Sequence, residues 1–146
     1  MIITQLIMSF FASAGFGIIF NAPRNALIQC GLIGMIGWII YYMLFERGMM
    51  DIVPATVFAA MVVAVLSQFC ARYYKMPIII FNVSGIIPLV PGGIAYNAMR
   101  HFVENDYNTA VQLSAQVVLL AGGIAIGLMF SEVVNQIWRK AEALGR

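Results

Sequence analysis

Four long stretches without a charged side chain constrain the fold of this sequence more than any other feature. They are Ile2–Phe20, Ala26–Phe45, Ile52–Ala71 and Thr109–Phe130, and polar or charged residues flank them. A bilayer core about 30 Å thick needs roughly 20 apolar residues of helix, so each stretch is long enough to cross it. Hydrophobic residues make up 62% of the chain and charged residues only 10%. The sequence therefore predicts an all-α polytopic membrane protein.

The charged residues that remain exclude several functional classes. Eight basic and six acidic residues give a net charge of +2, and they form no basic run that could hold a nucleic acid. The sequence has no nucleophile–base pair, no paired carboxylates and no phosphate-binding loop. We therefore expect neither an enzyme nor a cofactor, and the lipid bilayer is the expected surrounding.

A fifth uncharged stretch, Met76–Met99, contains the segment SGIIPLVPGG at Ser84–Gly93. As one helix, its 24 residues would extend about 36 Å, which is enough for a crossing. As a re-entrant hairpin, each arm would reach only about half that depth. Length alone does not distinguish the two arrangements.

The distribution of lysine and arginine does distinguish them. With five crossings, six basic residues fall on one side, namely Arg24, Arg72, Lys75, Arg139, Lys140 and Arg146. The other side receives only Arg47 and Arg100, whereas a re-entrant segment would leave four on each side. The positive-inside rule then favours a plasma-membrane protein with five crossings, its N-terminus outside and its C-terminus in the cytoplasm. We expect one domain with spans at about 2–20, 26–45, 52–71, 76–99 and 109–130, and a cytoplasmic helical tail at 131–146.

The fourth span should be broken at its Pro-x-x-Pro-Gly-Gly stretch. A proline inside a helix removes a hydrogen bond and costs about 3 kcal/mol or more. We expect a helix over about 77–84, non-helical backbone over 88–92, and a second short helix over 93–100. In hydrocarbon, such backbone survives only when it is buried in protein or lines water. The alternative is a proline kink that serves packing alone.

A broken span predicts a substrate site near the middle of the membrane. The second half-helix would present its N-terminal amides and roughly half a positive charge, a combination that binds anions. Many secondary transporters hold substrate at such discontinuous helices. We expect the substrate-binding residues to be Asn82, Ser84, Pro88, Pro91, Gly92, Gly93, Tyr96 and Asn97.

Small and amide side chains recur at helical spacing in other spans. The residues with an expected gating or packing role are Gly31, Gly34, Gly37, Gln112 and Gln116. Close helix packing is the simpler explanation for the glycines. The two glutamines either join neighbouring helices or line a wet passage. So many small faces also indicate a partner, either identical or related.

Three stretches resemble the small, five-span half of the threonine/serine exporter family. They are FNAPRNAL (Phe20–Leu27), GLIGMIGWIIYY (Gly31–Tyr42) and IIPLVPGGIAYNAM (Ile86–Met99). The resemblance implies ion-driven export of small hydrophilic metabolites, which are threonine and serine in some members and dicarboxylates such as succinate in others. It also implies a larger partner with five helices and a soluble cytoplasmic region. Two halves of opposite orientation would form inverted repeats around a shared site.

Asp, Glu, Lys and His are missing from the predicted spans, although proton-coupled carriers usually keep such a residue there. We expect the partner to supply the residue that relays protons. The alternatives are Glu132, Arg24 or Arg100, at the ends of spans. His101, Glu104 and Asp106 stand close together in the outer loop, but their spacing is not that of a metal site. We therefore predict no metal.

Two other functional classes remain open from the sequence. A non-transporting accessory subunit would stabilise a partner and carry no substrate. A homo-oligomeric channel is less favoured, because the spans supply no charged ring for ion selection.

Overall fold

Six α-helices and two short 3₁₀ turns form the regular structure of residues 1–144, which the computed structural model describes. The helices are α1 (Ile2–Ile19), α2 (Leu27–Glu46), α3 (Ile52–Tyr74), α4 (Ile78–Ile86), α5 (Gly92–Val103) and α6 (Tyr107–Leu144). The 3₁₀ turns are Arg24–Ala26 and Ile87–Leu89. All regular structure in this part of the chain is therefore helical.

Four helices, α1, α2, α3 and α6, are long and apolar enough to cross a membrane. The pair α4 and α5 passes the same test together, with a bend of 55° between its halves, and makes a fifth span if both halves cross as one. The prediction of an all-α polytopic membrane protein is confirmed.

The break between α4 and α5 is shorter than the sequence predicts. Backbone expected to be non-helical over 88–92 instead continues as the 3₁₀ turn Ile87–Leu89, and Gly92 already begins α5. Only Val90 and Pro91 lie outside a helix. The physical reason is the position of each proline. Pro88 lies in the first turn of the 3₁₀ segment and Pro91 is the N-cap of α5, where a missing N–H breaks no hydrogen bond.

Helix α3 lies at the centre of the packing. It contacts α2, α4 and α6, while α1 packs against α2 and α4. Alanines make this close packing possible, because Ala55, Ala59, Ala60 and Ala64 on α3 are almost completely buried. Helix α5 packs chiefly against α6, unlike α4, which packs against α1, α2 and α3.

Two glycines bring α6 against the backbone of α3. A Cβ atom built on Gly127 would lie 2.7 Å from the carbonyl oxygen of Val57 and 2.9 Å from the Cβ of Ala60. A Cβ on Gly123, one turn earlier, would lie 3.1 Å from Val57 Cγ2. This is the close approach that a GxxxG pair allows in membranes.

Helix α6 is unbroken over 38 residues, which corresponds to about 57 Å. That is nearly twice the thickness of a hydrocarbon core, so the helix must extend beyond the bilayer. The tail expected at 131–146 is helical through Leu144. Gly145 and Arg146 lie outside the described residues.

Candidate functional site

A cavity of about 240 Å³ lies beside the break between α4 and α5. Helices α2, α3 and α6 contribute its other walls. The lining residues are Trp38, Tyr41, Ile52, Thr56, Pro88, Leu89, Val90, Pro91, Gly93, Ile94 and Leu120. None of these side chains is charged, so the cavity can bind a solute only through hydrogen bonds, dipoles and apolar contacts.

The beginning of α5 supplies free amides to this cavity. The Gly92 N–H donates to the Val90 carbonyl at 2.7 Å, and the Ala95 N–H donates to the Pro91 carbonyl at 3.0 Å. The amides of Gly93 and Ile94 fall between these two bonds, where a helix start offers no carbonyl. Both residues line the cavity. Their N–H groups and the positive end of the helix dipole suit a carboxylate.

Two side chains from other helices add hydrogen-bonding groups. Trp38 lines the cavity, and its buried Nε1–H has no acceptor among residues 1–144. An indole N–H normally finds an acceptor when it is buried, so the described residues leave this donor unpaired. Thr56 Oγ1 donates to the Ile52 carbonyl at 2.7 Å, and its lone pairs remain able to accept.

The structure brings only part of the predicted substrate site together. Pro88, Pro91 and Gly93 line the cavity. Gly92 is next to them and exposed, and a Cβ atom built on it would meet nothing within 4 Å.

The other four predicted substrate-binding residues lie away from the cavity. Ser84 is completely buried, 3.6 Å from a Cβ built on Gly17 of α1, and Asn82 is half-buried on the same helix α4. Tyr96 and Asn97 are exposed on α5, and Tyr96 lines a separate shallow cavity with Arg100.

The three glycines of α2 lie at helix contacts. A Cβ built on Gly31 would lie 2.6 Å from the Phe10 ring, and one on Gly34 would overlap the Ser13 hydroxyl. A Cβ on Gly37 would lie 2.5 Å from Val63 Cγ2.

The two glutamines near the start of α6 are outside the cavity lining. Gln112 is exposed and Gln116 is half-buried.

The end of α5 and the loop that follows it hold a small network of charged and polar side chains. Arg100 Nε lies 2.8 Å from Glu104 Oε1, and His101 Nδ1 lies 3.3 Å from Asp106 Oδ2. Hydrogen bonds from Thr109, and His101 to a lesser degree, lower the pKa of Asp106. Among the described residues, no group of three His, Cys, Asp or Glu side chains could hold a metal ion.

The sequence analysis missed Trp38, Tyr41 and Thr56. The signal for Trp38 is a polar N–H inside an apolar span, directly after Gly37. Tyr41 follows at helical spacing on the same face. Both signals are weak until α2 and α3 are placed against the break.

A comparison with known families identifies the chain. The model described as "Threonine/Serine exporter, ThrE" matches residues 5–134. The chain belongs to the threonine/serine exporter family. This family consists of membrane transporters, and the resemblance stated from the sequence is confirmed.

A curated relative extends the comparison to a longer chain. An uncharacterized protein from Haemophilus influenzae is 31% identical over 124 residues, which cover 80% of this chain. The same match covers only 41% of the relative. No solved structure matches the chain significantly.

Proposed function

We propose that this chain is the membrane subunit of a secondary exporter of threonine, serine or similar small hydrophilic metabolites. The observation that carries the proposal is the uncharged cavity at the break, where the amides of Gly93 and Ile94 have no backbone acceptor. Family membership supports transport as the activity. The substrate site assigned here includes Trp38 and Thr56 in addition to the residues of the break.

The chemistry of the cavity fits the carboxylate end of an amino acid. Two backbone amides and the Trp38 N–H can donate to the carboxylate, while Thr56 Oγ1 can accept from an ammonium or hydroxyl group. A volume of about 240 Å³ is below the range of pockets for drug-sized ligands. A metabolite of a few heavy atoms therefore suits it.

The chain acts, in this proposal, with a larger five-span subunit. The relative from Haemophilus influenzae continues far beyond the matched region, which is consistent with a second half in that protein. Helix α5 leaves Tyr96 70% exposed, and Met99 and Val103 are exposed as well, so this face is available to a partner or to lipid. A homo-oligomer is the competing assembly.

We place the N-terminus outside the cell and the C-terminus in the cytoplasm. The six-to-two distribution of lysine and arginine supports this orientation if α4 and α5 form one crossing. A relay for a coupling proton would then belong to the partner, because spans α1 to α5 carry no acidic or histidine side chain between their end turns.

The matched substitutions Trp38→Phe and Trp138→Phe test the substrate site. Trp38→Phe removes an N–H that has no acceptor in this part of the chain together with one ring of the indole, and it keeps an aromatic ring beside Tyr41, so the protein should keep its yield. Export should fall about tenfold, because a hydrogen bond to a charged group contributes roughly 1.5–3 kcal/mol. Trp138 is 67% exposed on α6, and its substitution should leave export unchanged.

The assay measures intracellular threonine in cells fed a threonine-containing dipeptide, with the larger subunit also expressed. Cells with Trp38→Phe should accumulate threonine as cells without the chain do. If intracellular threonine is equal with and without the wild-type chain, amino-acid export is ruled out as the function. A parallel measurement of succinate would then test a dicarboxylate exporter. Normal export by Trp38→Phe would favour an accessory subunit.

A further inference from the structure

A second cavity, of about 260 Å³, lies at the opposite end of α4. Ile78, the first residue of α4, lines it, whereas the break at the other end of α4 lines the first cavity. Both cavities also have walls from α3 and α6. On the orientation proposed above, the second cavity opens at the cytoplasmic end of the protein, where an exported solute must arrive.

This cytoplasmic cavity is lined by opposite charges. Arg72 of α3 and Arg139 of α6 are the cations, and Glu132 of α6 is the anion. Among the side chains of residues 1–141, which the structure describes, ion pairs within 4 Å occur only at the end of α5 and in the loop that follows it. The three charges are therefore not neutralised by direct pairing with one another.

Hydrogen bonds join α3 to α6 beside the cavity. Arg72 Nη2 donates to Asn135 Oδ1. Gln68 Nε2 lies 3.2 Å from the Ser131 carbonyl oxygen and 3.3 Å from its hydroxyl. The guanidinium of Arg72 is thus oriented by the protein, and all three charged side chains, Arg72, Glu132 and Arg139, are exposed.

We propose that this cavity is a loading site for the zwitterionic end of an α-amino acid. Arg72 and Arg139 would bind the carboxylate, because guanidinium groups match its planar geometry. Glu132 would bind the ammonium group. The inference rests on the proposed export function and narrows its substrate class, since Glu132 repels the second carboxylate of a dicarboxylate.

A phospholipid headgroup is the competing occupant. A third cavity, of about 250 Å³, shares Gln68, Arg72 and Asn135 with the loading site. Apart from Ser131, its other walls are apolar and include Phe69 and Trp138, which suit an acyl chain. Neither Glu132 nor Arg139 belongs to that lining. All three charged side chains line the second cavity, on the α4 side, which favours a water-soluble zwitterion as its occupant.

The test measures equilibrium binding of radiolabelled threonine to the purified full chain, alone and with the larger subunit. Glu132→Gln should weaken threonine binding about tenfold, as loss of a charge-assisted hydrogen bond predicts. The same substitution should strengthen competition by succinate. Arg139→Gln should weaken binding of both solutes. Lys140→Gln, an exposed base outside the cavity lining, is the matched control and should bind normally.

Threonine binding that is absent, or unchanged by Glu132→Gln and Arg139→Gln, overturns the loading site. Displacement of threonine by a particular phospholipid, whose own binding depends on Arg139 and not on Glu132, would assign the site to a headgroup and also overturn it. Glu132-dependent binding without threonine export in cells would support the loading site and contradict the proposed transport activity. Failure of the loading-site proposal and failure of the transport proposal therefore give different results.

Discussion

The contact between Gly127 and α3 permits a quantitative prediction from one added methyl group. In Gly127→Ala, the new Cβ would lie 2.7 Å from the Val57 carbonyl oxygen. That oxygen belongs to helix backbone, so the two helices must separate instead of one side chain moving aside. Overpacking of this kind costs about 1–3 kcal/mol.

Gly122→Ala supplies the matched control, because a Cβ there would meet nothing within 4 Å. Alanine favours helix over glycine by about 1 kcal/mol, and this gain applies equally to both variants. It cancels in their comparison, which leaves a difference of about 1–3 kcal/mol from the steric contact alone. Gly122→Ala should be neutral or stabilised by up to about 1 kcal/mol.

The assay is unfolding of the purified protein by SDS in mixed micelles, followed by tryptophan fluorescence. Gly127→Ala should unfold at a lower SDS fraction than Gly122→Ala. Identical midpoints for the two variants would refute the inference that backbone contact, and not helix propensity, sets the α3–α6 distance.

Two further predictions concern the break and the loop that precedes α6. Pro91→Ala restores an amide N–H at the N-cap of α5, which lets α4 and α5 approach one continuous helix; export should fall at unchanged protein yield, and normal export would favour the accessory role. The pKa of Asp106 is lowered in the folded protein. The interaction of its carboxylate with Thr109 is therefore complete above the ordinary carboxyl pKa, and it is lost as pH falls through the lowered pKa of Asp106. Hydrogen exchange at the Thr109 amide should therefore accelerate, relative to neighbouring amides, below about pH 4, and Asp106→Asn should remove that pH dependence; an identical profile in the variant would contradict it.

The helices were predictable from sequence because their length and apolar composition are local properties. The break was predictable for the same reason, since Pro88, Pro91 and the following glycines act on their own backbone. Its extent was not, because a proline in a first turn permits a 3₁₀ segment that propensity alone does not reveal.

The cavity was less predictable than the break, because its walls come from four parts of the chain. Tyr96 and Asn97 follow the break in sequence, but the 55° bend and packing against α6 leave them exposed. Trp38 and Thr56 are distant in sequence and reach the cavity through helix crossings. Hydropathy does not encode the angles of those crossings. The sequence therefore predicted site residues that are neighbours along the chain, and it missed those that are neighbours only in space.

If the break binds a solute as proposed, the unequal packing of α4 and α5 links that binding to the position of α6. Helix α4 is fixed against three neighbours, whereas α5 follows α6. A shift of α6 away from α3 would carry the amides of Gly93 and Ile94 away from Trp38 and Thr56. In the proposed transport cycle, the same movement would withdraw these donors from a bound solute.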